Sequence, residues 1–138
     1  MYGTILLTLD KTPTDRTIVD HIKQLAKIMG SRIVLLHVVS TAAAQWLGKQ
    51  TGGAEVEKSQ TYLDQIVAEF KAAGIEAETE LAFGDPVTEI IAWVGKSRCD
   101  LVAMGTHGHG FMADMILGTT AINVQHSVHV PVLLLRAK

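Results

Sequence analysis

The run LVAMGTHGHGFMADMILGTTAINVQHS, Leu101–Ser127, sets three features in a row. Leu101 to Met104 is a short apolar stretch, a glycine-rich turn follows, and from about Thr119 to Ser127 the chain reads as a helix. A buried strand that passes through a glycine turn into a helix is the first half of a βαβ unit. PVLLL, Pro131 to Leu135, supplies the strand that completes it. Working back toward the amino terminus, the same rhythm repeats. Thr4 to Leu9 is a short apolar run, then Ile18, Ile22, Leu25, Ala26 and Met29 recur at helical spacing. Pro13 suits the first turn of that helix and Gly30 its end. IVLLHVV, Ile33 to Val39, is a continuous apolar strand of the kind covered on both faces.

Ser40 to Ala54, with Gly48, Gly52 and Gly53, reads as a long irregular loop. A helix is expected from about Glu55 to Ala73, with Tyr62, Leu63, Ile66, Val67 and Phe70 on one side and Gly74 closing it. Ile75 to Leu81 (IEAETEL) alternates apolar and polar residues, as a strand with one exposed face or an edge strand does. Asp85 and Pro86 open another helix as cap and first residue, with Val87, Ile90, Ile91 and Val94 facing inward. The predicted fold class is therefore α/β: a single-domain, open, parallel five-stranded sheet with helices on both faces, a Rossmann-like three-layer sandwich over residues 1–138.

The totals agree with one packed domain. Of 138 residues, 48% are hydrophobic and 19% charged, which argues against disorder. A net charge of −2 gives no strong pull toward nucleic acid or anionic membrane. Cys99 is the sole cysteine, so no disulfide can form within the chain, and a cytoplasmic setting is expected. No apolar run approaches the length of a membrane span. The opening MYGTILLTLD lacks a basic region and reads as a first strand, not a secretion signal.

In an open parallel sheet, ligands sit beyond the carboxyl ends of the strands, where the strand order reverses. The glycines after Met104 are spaced Gly105-x2-Gly108-x9-Gly118-Thr119. The first pair would let the backbone turn tightly and approach a ligand. Gly118, Thr119 and Thr120 stand where a helix begins, and free N–H groups there favour an anion. No lysine or arginine occurs between Arg98 and Arg136. Main-chain amides, two threonine hydroxyls and a bound metal would have to hold any polyphosphate. A tight turn with a helix cap is the plainer reading of the same residues.

These residues resemble the universal stress proteins over essentially the whole chain. ATP-binding members carry G-x2-G-x9-G-(S/T), matched by Gly105, Gly108, Gly118 and Thr119. GTHG, LGT, PVLLLR, the strand ending in Asp10 and LLHVV at Leu35 to Val39 are similar as well. The resemblance implies the adenine nucleotide alpha hydrolase-like fold and binding of ATP, or of ADP or AMP. It places Asp10 by the ribose and phosphates, reaching them through Mg, and has Val38 pair with adenine through its backbone. Met104 and Gly105 would line the adenosine side, while Gly108, Gly118, Thr119 and Thr120 would cradle phosphates. His107 would donate a hydrogen bond to phosphate or serve as an ordinary loop residue. The family also implies a homodimer through the last strand, Val132 to Leu135, whose apolar edge would otherwise invite aggregation. His109, Gly110 and Phe111 stand where many relatives have a basic residue, which leaves ADP and AMP as plausible occupants. The implied role is a dimeric sensor or regulator in stress response, with its downstream protein partner unnamed.

Other chemistries lack their parts. His107 and His109 alone do not make a four-ligand structural metal site. Thr106-His107-Gly108-His109 fits the T-x-G-H of nucleotidyltransferases, but there it follows the first strand, with a basic partner loop that this chain lacks. There is neither a G-x-S-x-G elbow nor a Walker A lysine. Without a cation to stabilise charge in phosphoryl transfer, hydrolysis should be slow or absent. Two alternatives stay open: a nucleotide-independent interaction module of the same fold, and a slow ATPase or autophosphorylating protein. Asp10 itself could simply cap a turn.

Overall fold

The computed structural model describes residues 1–106 and 120–136, the side chains of 40–52 and 106 excepted. In chain order the elements are β1 (Thr4–Thr8), α1 (Thr14–Met29), β2 (Arg32–Ser40), α2 (Thr41–Ala72), β3 (Ala77–Gly84), α3 (Pro86–Ser97), β4 (Leu101–Thr106), α4 (120–127) and β5 (Val132–Arg136). The five strands form one sheet in the order β3-β2-β1-β4-β5, and every neighbouring pair is parallel. The chain winds outward from β1 through β2 to β3, then crosses back to lay β4 on the other side of β1. The order reverses between β1 and β4.

Strand alternation builds the two cores. Ile5, Leu7, Ile33, Leu35, Leu101 and Ala103 face one side, under Ile18 and Ile22 of α1 and Leu63 and Phe70 of α2. Leu6, Val34, Leu36, Val102 and Met104 face the other, under Ile90 of α3 and Ala121 and Val124 of α4. Because both faces are covered, β1 and β2 carry consecutive apolar residues, Ile5 to Leu7 and Ile33 to Leu36, instead of one at every second position. β3 is an edge strand, with Ala77 and Ala82 buried and Glu78 and Phe83 exposed.

The helix ends follow local chemistry. Gly30 closes α1 at φ 68°, a left-handed conformation that costs glycine little, and its N–H donates to the Ala26 carbonyl. The Asp85 carboxylate accepts from the Thr88 amide at 3.0 Å and from the Thr88 hydroxyl at 2.9 Å, opening α3.

Two expectations change. The backbone is helical from Thr41, so the expected Ser40 to Ala54 loop is instead the last residue of β2 and the first part of a 32-residue α2. Ala42, Ala43, Ala44, Gln45, Leu47, Lys49 and Gln50 are strong helix formers, and their summed preference outweighs about 1 kcal/mol lost at each glycine. Gly105 is the other. It lies inside β4 rather than opening a turn. A Cβ on it would stand 2.5 Å from Ile18 Cδ1 and 2.8 Å from Thr14 Cγ2, so these α1 side chains would have to shift to admit one.

Candidate functional site

A cleft of ≈ 200 Å³ opens at the carboxyl ends of β1, β2 and β4, at the reversal of strand order. Thr8, Leu9 and Asp10 line it from the end of β1, and Leu36, His37 and Val38 from β2. Met104 and Gly105 come from β4, Pro86 and Ile90 from α3, Asp15 from α1 and Thr120 from α4. The structure thus brings together five residues singled out in the sequence: Asp10, Val38, Met104, Gly105 and Thr120. The others, His107, Gly108, Gly118 and Thr119, lie outside the described residues.

The lining is divided by chemistry. Leu36, Val38, Ile90 and Met104 give an apolar floor suited to a flat ring, while Asp10, Asp15, His37 and Thr120 put polar groups at the cleft. Register exposes a backbone edge as well. β1 stops at Thr8 opposite Leu36, and the Leu9 amide donates to the Leu36 carbonyl at 2.9 Å. β2 continues beside β3 as far as Ser40. Since N–H and C=O alternate sides along a strand, Val38 turns its pair toward the same side as Leu36, beyond the end of the strand there.

Asp10 sits on the β1–α1 turn. Its Oδ1 accepts from the Thr12 amide at 3.1 Å and the Thr12 hydroxyl at 2.5 Å, so it is also the turn-capping aspartate that the plainer reading anticipates. Behind it stands Asp15, a residue the sequence reading missed. Asp15 is 2% exposed. Its Oδ1 accepts the Asp10 amide at 3.2 Å, and its Oδ2 accepts the Lys11 amide at 2.8 Å and the Tyr62 hydroxyl at 2.6 Å. Burial pushes its carboxyl up from 3.8 to about 7, reinforced by the Asp10 charge and opposed by the Tyr62 hydroxyl and the Asp10 amide. The Tyr62 hydroxyl is raised in turn by burial and by Asp15.

His37 was also missed as a lining residue. Its Nδ1 donates to the Leu9 carbonyl at 2.8 Å, which leaves Nε2 as the acceptor of a neutral ring. Burial lowers its pKa, and nearby Lys11 adds to that against the pull of the Leu9 carbonyl. The only sequence signal was its place beside Val38 in LLHVV. Asp15 offered no signal, since its partners are two amides and a tyrosine 47 positions away.

Among the described residues, no three His, Cys, Asp or Glu side chains cluster to hold a metal. Asp10 nonetheless offers a hard carboxylate oxygen at the cleft, the donor type that magnesium accepts alongside phosphate oxygens and water. No helix among the described residues is long and apolar enough to cross a membrane.

A doubly wound parallel sheet with a cleft at its switch point is the arrangement in which α/β domains place their ligands. The chain matches the universal stress protein family over residues 1–136 and belongs to that family. Its fold is similar to that of the solved protein MJ0577, named as a universal stress protein of Methanocaldococcus jannaschii, with a TM-score of 0.88 at 24% identity, covering 100% of this chain and 98% of that one. It is likewise similar to a universal stress protein in complex with cAMP (TM-score 0.71, 20% identity, 97% of this chain and 96% of that one). A third similar structure is the universal stress protein of Archaeoglobus fulgidus in complex with dAMP (TM-score 0.70, 16% identity, 96% and 97%).

Proposed function

We propose that this universal stress protein domain, taken over residues 1–138, binds an adenine nucleotide in the cleft and acts as a dimeric regulator without efficient catalysis. The observation that carries the reading is the convergence of Asp10, Val38, Met104, Gly105 and Thr120 on one cleft at the β1/β4 reversal. The two relatives solved with cAMP and dAMP support an adenine nucleotide as the ligand class. In this reading the Val38 backbone pairs with the adenine edge, and Met104 and Gly105 flank the adenosine. Thr120, with Gly108, Gly118, Thr119 and His107, receives the phosphates through amides and hydroxyls. Asp10 meets the ribose and phosphates, through magnesium where a di- or triphosphate is bound. Magnesium would supply charge neutralisation between Asp10 and the phosphates. With no lysine or arginine from residue 99 to 135, ADP and AMP compete with ATP as occupants. β5, at the sheet edge, is the dimer strand.

The packing at Gly105 favours a second reading, in which the glycine serves the fold and the domain is an interaction module without nucleotide. Calorimetric titration with ATP, ADP and AMP, with and without magnesium, decides between them. Micromolar binding of at least one nucleotide is expected. Affinity no better than millimolar for all three hands the case to the interaction module.

A further inference from the structure

The β1–α1 turn is held in an uncommon shape by a carboxylate in the wall of the cleft. Lys11 adopts φ 62°, the left-handed region that a residue with a side chain enters at a cost. The group that takes its amide is the Asp15 carboxylate, which also takes the Asp10 amide from the residue before. Asp15 is buried, so these donors are satisfied by protein and not by water. It also accepts the Tyr62 hydroxyl of α2, at 2.6 Å. Tyr62 does not line the cleft. A second tie joins the same two elements, Lys11 Nζ to Glu55 Oε1 at 2.5 Å.

We propose that Asp15, backed by Tyr62, is a positioning residue for the nucleotide site: by gathering the Asp10 and Lys11 amides it fixes the turn that presents the Asp10 carboxylate to the ligand. The assignment rests on the nucleotide reading above. It also makes α2 part of the site's machinery, since the helix grips the turn at two points, through Tyr62 and through Glu55. The ionisable groups around Asp15 are few. Asp10 and the Lys11–Glu55 pair lie on the turn and its α2 neighbour, His37 lies on β2, and Arg16 of α1 is held by Asp20 and Glu69. Among the described residues, Tyr62 is the one whose hydrogen bond reaches Asp15 from α2.

Tyr62→Phe removes one hydroxyl from a residue that does not itself line the cleft, and that hydroxyl bonds to Asp15, so a loss of affinity travels through Asp15 and the turn. Magnesium ATP binding is measured by competition with a fluorescent adenine nucleotide for the wild type, Tyr62→Phe, Asp15→Asn, Asp10→Ala and Asp10→Ala/Tyr62→Phe. Melting temperature and circular dichroism are recorded for each. Tyr62→Phe is expected to weaken binding about threefold to tenfold, the worth of one hydrogen bond, while staying folded. Asp15→Asn is expected to weaken it in the same direction. In the Asp10→Ala background, where no carboxylate is left to position, Tyr62→Phe is expected to change affinity less than twofold, roughly within the additivity limit for independent sites. Unchanged binding by Tyr62→Phe overturns the proposal, as does an equal loss in both backgrounds, which would mark a general structural effect. A wild type that binds no nucleotide removes the nucleotide reading together with this one, an outcome distinct from a binding wild type beside an unaffected Tyr62→Phe.

Discussion

At the scale of single residues, Asp15 carries the sharpest consequence. Its carboxyl lies near 7 in the folded chain against 3.8 for an ordinary aspartate. Between those values the folded chain keeps a proton that the unfolded chain has released, so folding is favoured at the acid end. That advantage is withdrawn as the pH climbs toward 7, by up to about 1.4 kcal/mol for each unit over which the two states differ fully. His37 works at the other end. Burial depresses it from 6.5, so its share of stability is lost as the pH falls below that value. Comparing wild type with Asp15→Asn cancels His37 and isolates the aspartate. Thermal unfolding at pH 5 and pH 8 is expected to show the wild type losing stability relative to Asp15→Asn as the pH rises. A stability difference that stays constant across that range would mean Asp15 ionises no later than a solvated aspartate. The same residue marks a limit of sequence reading. Asp10 was singled out because the strand it ends resembles the family's, and its place between a strand and a helix gave the turn-cap alternative. Asp15 was not, because what makes it important is the fold's delivery of Tyr62 to its Oδ2.

At the scale of elements, legibility followed the reach of the physics involved. β1, β2, α1 and α3 were readable because apolar periodicity, proline and capping aspartate are local signals. The alternation of IEAETEL left open an edge strand or a strand with one exposed face, and β3 is the edge strand. The start of α2 was not, because glycines at 48, 52 and 53 look like loop punctuation until the alanines between the strand and them are counted. Gly105 was given a turn role from a motif, yet it lies inside β4, where the Ile18 and Thr14 side chains of α1 occupy the space a Cβ would take, a contact no spacing reveals. The helical assignment of 41–72 has a direct check at Gly53, where an added Cβ meets nothing within 4 Å. In an exposed helix interior, Gly53→Ala should stabilise the protein by about 0.5–1 kcal/mol. A loop that required glycine there would instead lose stability, so denaturant midpoints of the two proteins decide the point.

At the scale of the whole molecule, the sheet has two unlike edges. β3 carries Glu78 and Glu80 along its length, and Arg32 of β2 pairs with Glu78 at 2.6 Å, so charge guards that edge. β5 is VLLLR, with no charge before Arg136, and Leu134 is 38% exposed. Its inner neighbours are secured: Leu133 and Leu135 pack toward α1's face of the sheet and Val132 toward the other. An apolar edge of this kind calls for cover, and a second copy offering the same strand would supply it symmetrically. The proposed homodimer through β5 therefore predicts a scattering mass of twice the 14.9 kDa chain for the wild type. Leu134→Lys should shift the protein toward single chains while leaving far-ultraviolet circular dichroism intact, because the altered side chain is already partly in water. It should also leave nucleotide affinity within about twofold of wild type, since Leu134 lies outside the cleft. A wild type that runs as one chain at all accessible concentrations would remove the β5 dimer and leave the cleft, which is built within a single chain, untouched.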